Sequence, residues 1–105
     1  MKIEEQVKLL AKALEEKKGL DVKTYDVRGK SSFTDFFVVA TGAAAPHLKA
    51  LVAESQRAMR SVGIQGYRTS GDSESGWIVV DYIDVVVHVF SPEAREYYAL
   101  EKLWA

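Results

Sequence analysis

The residues best suited to chemistry lie in the last third of this chain of 105 residues. Asp81, Asp84 and His88 stand close together in sequence. Paired carboxylates can hold a divalent metal or move protons, and an imidazole adds a nitrogen ligand. A structural reading competes with this: carboxylates at the ends of a hairpin shape its turn, and a histidine on a strand face hydrogen-bonds a neighbour and orders the hairpin. The ligand set is thin, because the chain has no cysteine and only one other histidine, His47. No metal and no cofactor is therefore expected. The second chemistry is recognition. Trp77, Tyr82 and Tyr98 carry large rings with a polar handle, the type that anchors interfaces at low entropic expense. Arg95 and Glu101 can pair with each other or with a partner.

These side chains need a scaffold, and the pattern predicts one α/β domain over 1–105. Ile3, Val7, Leu10 and Leu14 repeat at helical spacing, with Glu4 and Glu5 at the start, Lys17 and Lys18 at the end and Gly19 placed as the cap. A strand is predicted over 22–27, ended by Gly29. Residues 36–41 form a continuous apolar run, the mark of a strand covered on both faces. A second helix over 46–62, with Pro46 in its first turn and Gly63 after it, leads to a return strand over 65–69; together they predict a β-α-β unit. Residues 70–76 read as a polar loop. Two β-branched runs, 77–81 and 84–90, predict a hairpin with Tyr82 and Ile83 at its turn. Ser91 and Pro92 then open a closing helix that carries Tyr97, Leu100 and Trp104 on one stripe.

The formal net charge of −1 conceals a split. Residues 1–70 hold 12 Lys and Arg against 8 Asp and Glu, whereas residues 71–105 hold 2 against 7. An acidic third disfavours phosphate backbones and favours a basic protein surface. Lys17, Lys18, Lys23, Arg28 and Lys30 form the basic counterpart. They read either as a solvated face or as a peripheral contact with RNA. The amino end is charged from the start, and no apolar run approaches the ~20 residues of a membrane span. The expectation is a cytoplasmic protein.

The run from Trp77 to Phe90 resembles the signature of the Iojap-like ribosomal silencing factors. Arg95, Tyr98, Leu100, Glu101, Leu103 and Trp104 reproduce that family's Arg-x-x-Tyr-x-Leu-Glu-x-Leu-Trp ending. Gly29-Lys30-Ser31-Ser32, Thr34-Asp35 and the strand that follows also match, as does His47. The resemblance covers nearly the whole chain. It implies a mixed sheet of about five strands flanked by helices, nucleotidyltransferase-like in fold but not an enzyme. It also implies a function: binding the large ribosomal subunit at ribosomal protein uL-fourteen and blocking the small subunit from joining, which lowers translation under nutrient limitation. A homodimer is compatible with the family.

The chain departs from the family pattern in places. Ser70-Gly71 replaces Glu-Gly before the tryptophan, Gly42 leads into Ala43-Ala44-Ala45, and Ile83 stands where a turn glycine is common. The last change predicts a turn with no need for positive φ. The expected partner-binding residues are Trp77, Asp81, Tyr82, Asp84, His88, Arg95, Tyr98 and Glu101. Competing functions are a nucleotidyltransferase-like enzyme, for which Asp35 is a lone candidate acid, and a ribosome-assembly factor.

Overall fold

A computed structural model describes residues 1–103. Helix α1 (Ile3–Glu16) is followed by β1 (Leu20–Asp26), β2 (Phe36–Thr41), α2 (Ala45–Ser61), β3 (Arg68–Asp72), β4 (Trp77–Asp81), β5 (Val85–Phe90) and α3 (Pro92–Tyr98), then a 3₁₀ turn over Leu100–Leu103. The sheet order is β1-β2-β5-β4-β3. Strands β2 and β5 pair in parallel and every other neighbouring pair is antiparallel. The sheet is thus mixed and five-stranded, and the predicted β-α-β unit is a split one: β3 runs parallel to β2, with β5 and β4 inserted between them.

Alternation along the strands sorts the core into two layers. Val38, Ala40, Val80, Val85, Val87 and Val89 face α1 and α2, where Leu10, Leu14, Leu48, Leu51 and Met59 complete the main cluster. Val39 and Phe90 face the other way and pack with Ala94 of α3, Tyr25, Trp77 and Leu100. All six residues of β5 are buried, because helices cover the centre of the sheet on both sides.

Several junctions differ from expectation for identifiable reasons. Helix α1 ends one residue early, and Lys18, not Gly19, takes the left-handed conformation at φ 66°. The Gly19 amide reaches back to the Leu14 carbonyl at 2.8 Å and the Lys18 amide to Glu15 at 3.0 Å, the double closure of a Schellman motif. Gly19 is required for proximity instead, since a Cβ there would lie 2.8 Å from the Leu14 oxygen. The second helix ends as predicted, with Gly63 at φ 83°. The expected loop over 70–76 is half strand: β3 extends to Asp72, and its register Asp72↔Trp77 leaves only a short turn. Asp72 shapes that turn by accepting the Ser75 amide at 2.7 Å.

The β4–β5 turn reverses the expectation for Ile83. This residue sits at φ 78°, and the Asp84 amide donates to the Tyr82 carbonyl at 3.0 Å across it, closing a three-residue γ-type turn that strains a β-branched side chain. Its side chain is 71% exposed, so little packing offsets the strain. Ile83→Gly is expected to raise stability by about 1 kcal/mol, relief of left-handed strain outweighing the entropy that glycine adds to the unfolded chain. Urea unfolding of the two proteins measures this; an unchanged or lower midpoint would contradict it.

Candidate functional site

Trp77 opens β4 beside the end of β5 and is half-buried. Its indole stacks on Phe90 with centroids 5.2 Å apart and lies 4.6 Å from the Tyr98 ring. Its Nε1–H donates to His88 Nδ1 at 3.2 Å. Accepting that bond requires an unprotonated Nδ1, and burial pushes the His88 pKa down to about 4. His88 is thus a structural partner of Trp77, 6% exposed on the covered sheet face. A folded state that resists this proton lets the unfolded chain bind it first as pH falls. Stability is therefore full above the ordinary histidine value and declines from about pH 6.5 toward about pH 4, by roughly 3 kcal/mol. Urea midpoints recorded across that interval should fall steadily, and His88→Gln should remove most of the slope. A flat wild-type profile would mean that folded His88 takes its proton normally.

Arg95 and Glu101 engage each other. The Arg95 guanidinium donates through Nε to Glu101 Oε1 at 2.7 Å and through Nη2 to Oε2 at 3.0 Å. Nη1 donates to the Thr41 hydroxyl at 2.8 Å and the Asp21 carbonyl at 2.7 Å. The Tyr25 hydroxyl hydrogen-bonds the same Glu101 carboxylate. Burial, with that carboxylate second, pushes the Tyr25 pKa up to about 12. The Arg95 hydrogen bonds hold Glu101 below the usual carboxylate range. This brace fixes the segment after α3 against β1 and β2. It explains why the closing helix is broken at Ala99, which takes φ 48°: six residues of continuous helix would set positions 95 and 101 about 120° apart around the axis and about 9 Å apart along it. Of the expected stripe, Tyr97 is 83% exposed, Leu100 packs on the second core layer, and Trp104 lies outside the described residues.

One of the turn residues points inward. Tyr82 is not exposed at the hairpin tip but 4% exposed in the main core, with its hydroxyl 3.1 Å from Ser55 Oγ. Burial pushes its pKa up to about 12. Asp81 accepts the Ile83 amide at 2.7 Å and shapes the turn. The Asp84 carbonyl takes the amides of Asp35 and Phe36 at 3.1 and 3.2 Å. Among the described residues no group of three or more His, Asp or Glu could hold a metal ion. His47 clasps two helix ends: its Nδ1 accepts the Ala43 amide at 2.9 Å and its Nε2 lies 2.8 Å from the Lys17 carbonyl. No helix of the described residues is long and apolar enough to cross a membrane.

The charges sort in the same way. The basic residues do not form one cluster, since Lys17 and Lys18 precede one end of β1 and Arg28 and Lys30 follow the other. Arg28 is forked onto Asp26, with Nη2 2.6 Å from Oδ2. In the acidic third, Asp72, Asp81 and Glu101 serve the fold. The carboxylates of Glu74, Asp84, Glu93 and Glu96 have no hydrogen bond or ion pair among the described residues. What the fold leaves outward, near the end of the sheet that holds Trp77, is an edge of aromatic rings and free acids: Trp77, Tyr97, Tyr98, Glu74 and Glu93. Sequence reasoning missed Tyr25, Thr41 and Tyr97. Tyr97 carried a visible signal as a tyrosine in a short terminal helix, but the Tyr25–Glu101 bond joins residues 76 positions apart and left none.

The family model described as ribosomal silencing factor during starvation matches residues 1–105. The ribosomal silencing factor RsfS of Haemophilus influenzae is 37% identical over 99 residues, covering 94% of this chain and 97% of its own. RsfS of Bacillus subtilis is 37% identical over 98 residues, covering 93% of this chain and 83% of its own. A crystal structure of a Chromobacterium violaceum protein, 37% identical, superposes with a TM-score of 0.93 and covers 99% of this chain and 87% of that one. Matched from end to end in sequence and over nearly its whole length in fold, the chain belongs to the ribosomal silencing factor family.

Proposed function

We propose that the chain, as one domain in the cytoplasm, silences translation by docking the edge around Trp77 and Tyr98 on ribosomal protein uL-fourteen of the large subunit, where its bulk excludes the small subunit. It acts by occupancy, without chemistry. The observation that carries this reading is the edge itself: two rings in tilted contact, half-buried Trp77 and 44%-exposed Tyr98, beside carboxylates that the fold leaves unused. Aromatic anchors ringed by charge suit a basic protein surface. Tyr82 and His88 drop out of the contact set because they are buried, and Arg95 and Glu101 act by holding the edge in place. Lys17 and Lys18 lie near the same end of the sheet, which suits a peripheral touch on ribosomal RNA.

Co-sedimentation with purified subunits tests the reading. The protein should travel with free large subunits, and Trp77→Ala and Tyr98→Ala should each weaken binding by at least about tenfold, the loss typical of a hot-spot ring. Thermal melts of both variants separate lost contact from lost folding. Travel with small subunits alone, or with neither, would refute it.

A further inference from the structure

Two of the four unengaged carboxylates of the acidic third share one cavity. Glu74, from the β3–β4 turn, and Glu93, from the first turn of α3, line an open recess of about 750 Å³. Leu48 of α2 forms part of its wall, and Tyr97 and Tyr98 border it. Ser73 also lines it, and its hydroxyl makes no hydrogen bond to the described residues. A hydroxyl that the fold leaves unengaged can take part in a ligand's hydrogen bonds.

The chemistry of the lining selects the occupant. Phosphate has the wrong sign against two carboxylates. The amino end of α2 also borders the recess through Ala43, Ala44 and Ala45, but its partial charge of about half a unit is outweighed by two full negative charges. A cation is called for, and the tyrosines decide its shape. Their rings meet edge to face at 5.1 Å, with Tyr97 83% exposed, so they present an aromatic face to a flat cation. A guanidinium stacks on such a face and donates in-plane to carboxylates and a hydroxyl together; a hydrated metal ion gains nothing from the ring.

The geometry points to this recess as the socket for an arginine side chain of the protein partner on the large subunit. The inference rests on the docking proposed above and deepens it, because Tyr98 belongs both to the recess and to the ring pair with Trp77. One arginine seated here would fix the orientation of the factor, since the groups that hold it come from two separate elements, the β3–β4 turn and α3.

Binding of purified large subunits by wild type, Glu74→Gln/Glu93→Gln, Tyr97→Leu and Glu96→Gln tests it. Glu96 is the comparison: a free carboxylate of the same helix that does not line the recess. The double variant should bind about tenfold more weakly at low salt, and the gap should narrow as salt rises. Tyr97→Leu should lose severalfold, and Glu96→Gln should stay within about twofold of wild type. The melting temperature of the double variant should not fall, because neither carboxylate has an internal partner. Wild-type affinity in the double variant, or an equal loss in Glu96→Gln, would overturn the socket while leaving the docking intact. A wild-type protein that ignores large subunits would overturn both.

Discussion

Gly71→Ala is expected to lower stability by about 3 kcal/mol and the melting temperature by roughly 10 °C or more. Gly71 sits in β3 at φ 82°, where a side chain adds about 1–2 kcal/mol of left-handed strain. Steric overlap adds the rest. An added Cβ would meet the Trp77 carbonyl oxygen across the hairpin, inside any tolerable contact distance. That obstacle is backbone, so no rotamer change relieves it, and the strands must separate where Gly71 pairs with Ile78. Strand β3 lies at the sheet edge with every residue exposed, so the damage should remain local. It should loosen the turn that carries Ser73 and Glu74 and the anchorage of Trp77. Amide exchange should quicken in β3 and β4 before it does in β2, and large-subunit binding should weaken with it. A melt within a degree or two of wild type would show that the hairpin adjusts by a slide the register does not suggest.

Arg95→Leu carries the second large effect. The guanidinium is 11% exposed and its main partner, Glu101, 24%. Leucine keeps much of the bulk but leaves a partly buried carboxylate, the Thr41 hydroxyl and the Asp21 carbonyl without their donor. Removing one partner of such a pair costs about 3 kcal/mol here, at the low end of the buried range because Glu101 retains some solvent. Since Arg95 holds Glu101 below the usual carboxylate range, that stability is present above the ordinary glutamate value and is lost as pH falls through the depressed one. Arg95→Leu should therefore flatten the acid limb of the stability curve as well as lower its plateau. The Tyr25 hydroxyl, pushed up to about 12 by burial and this carboxylate, should remain un-ionised until strongly alkaline pH in wild type. Restoring most of the stability with the double change Arg95→Leu/Glu101→Leu would identify the stranded charge as the cause. No rescue would place the loss in packing instead.

Where periodicity is strong the elements were readable from the chain. The apolar run over 36–41 is β2 to the residue, and α2 starts and stops within one residue of expectation. Legibility failed wherever a distant partner decides local geometry. Strand β3, expected over 65–69, lies at Arg68–Asp72, because an exposed edge has no apolar alternation to fix its bounds and its pairing with β4 sets them. The closing helix has good propensity through 98 but breaks at Ala99, because Glu101 must come round to Arg95 and Tyr25. Ile83 accepts positive φ where its own preference opposes it, since Asp81 and the β4–β5 ladder hold the turn. For the site, Trp77 and Tyr98 could be named from residue type, but their contact depends on α3 folding back over Phe90. Tyr82 shows the opposite error: a ring that looks exposed by its place in a turn is drawn inward by Ser55.

The central position of β5 has a consequence for synthesis. Phe36 pairs with Val85 and Thr41 with Phe90, so the strand that closes the middle of the sheet is the last one made. As the chain emerges, α1, β1, β2 and α2 exist before the strand that joins β2 to β4, and the inner edge of β2 remains bare until then. Such late, long-range closure slows folding and leaves an adhesive intermediate. Truncation before residue 85 would therefore yield no half-active silencer, only a sheet in two pieces. Folding itself becomes a check that translation of this translation regulator has passed β5.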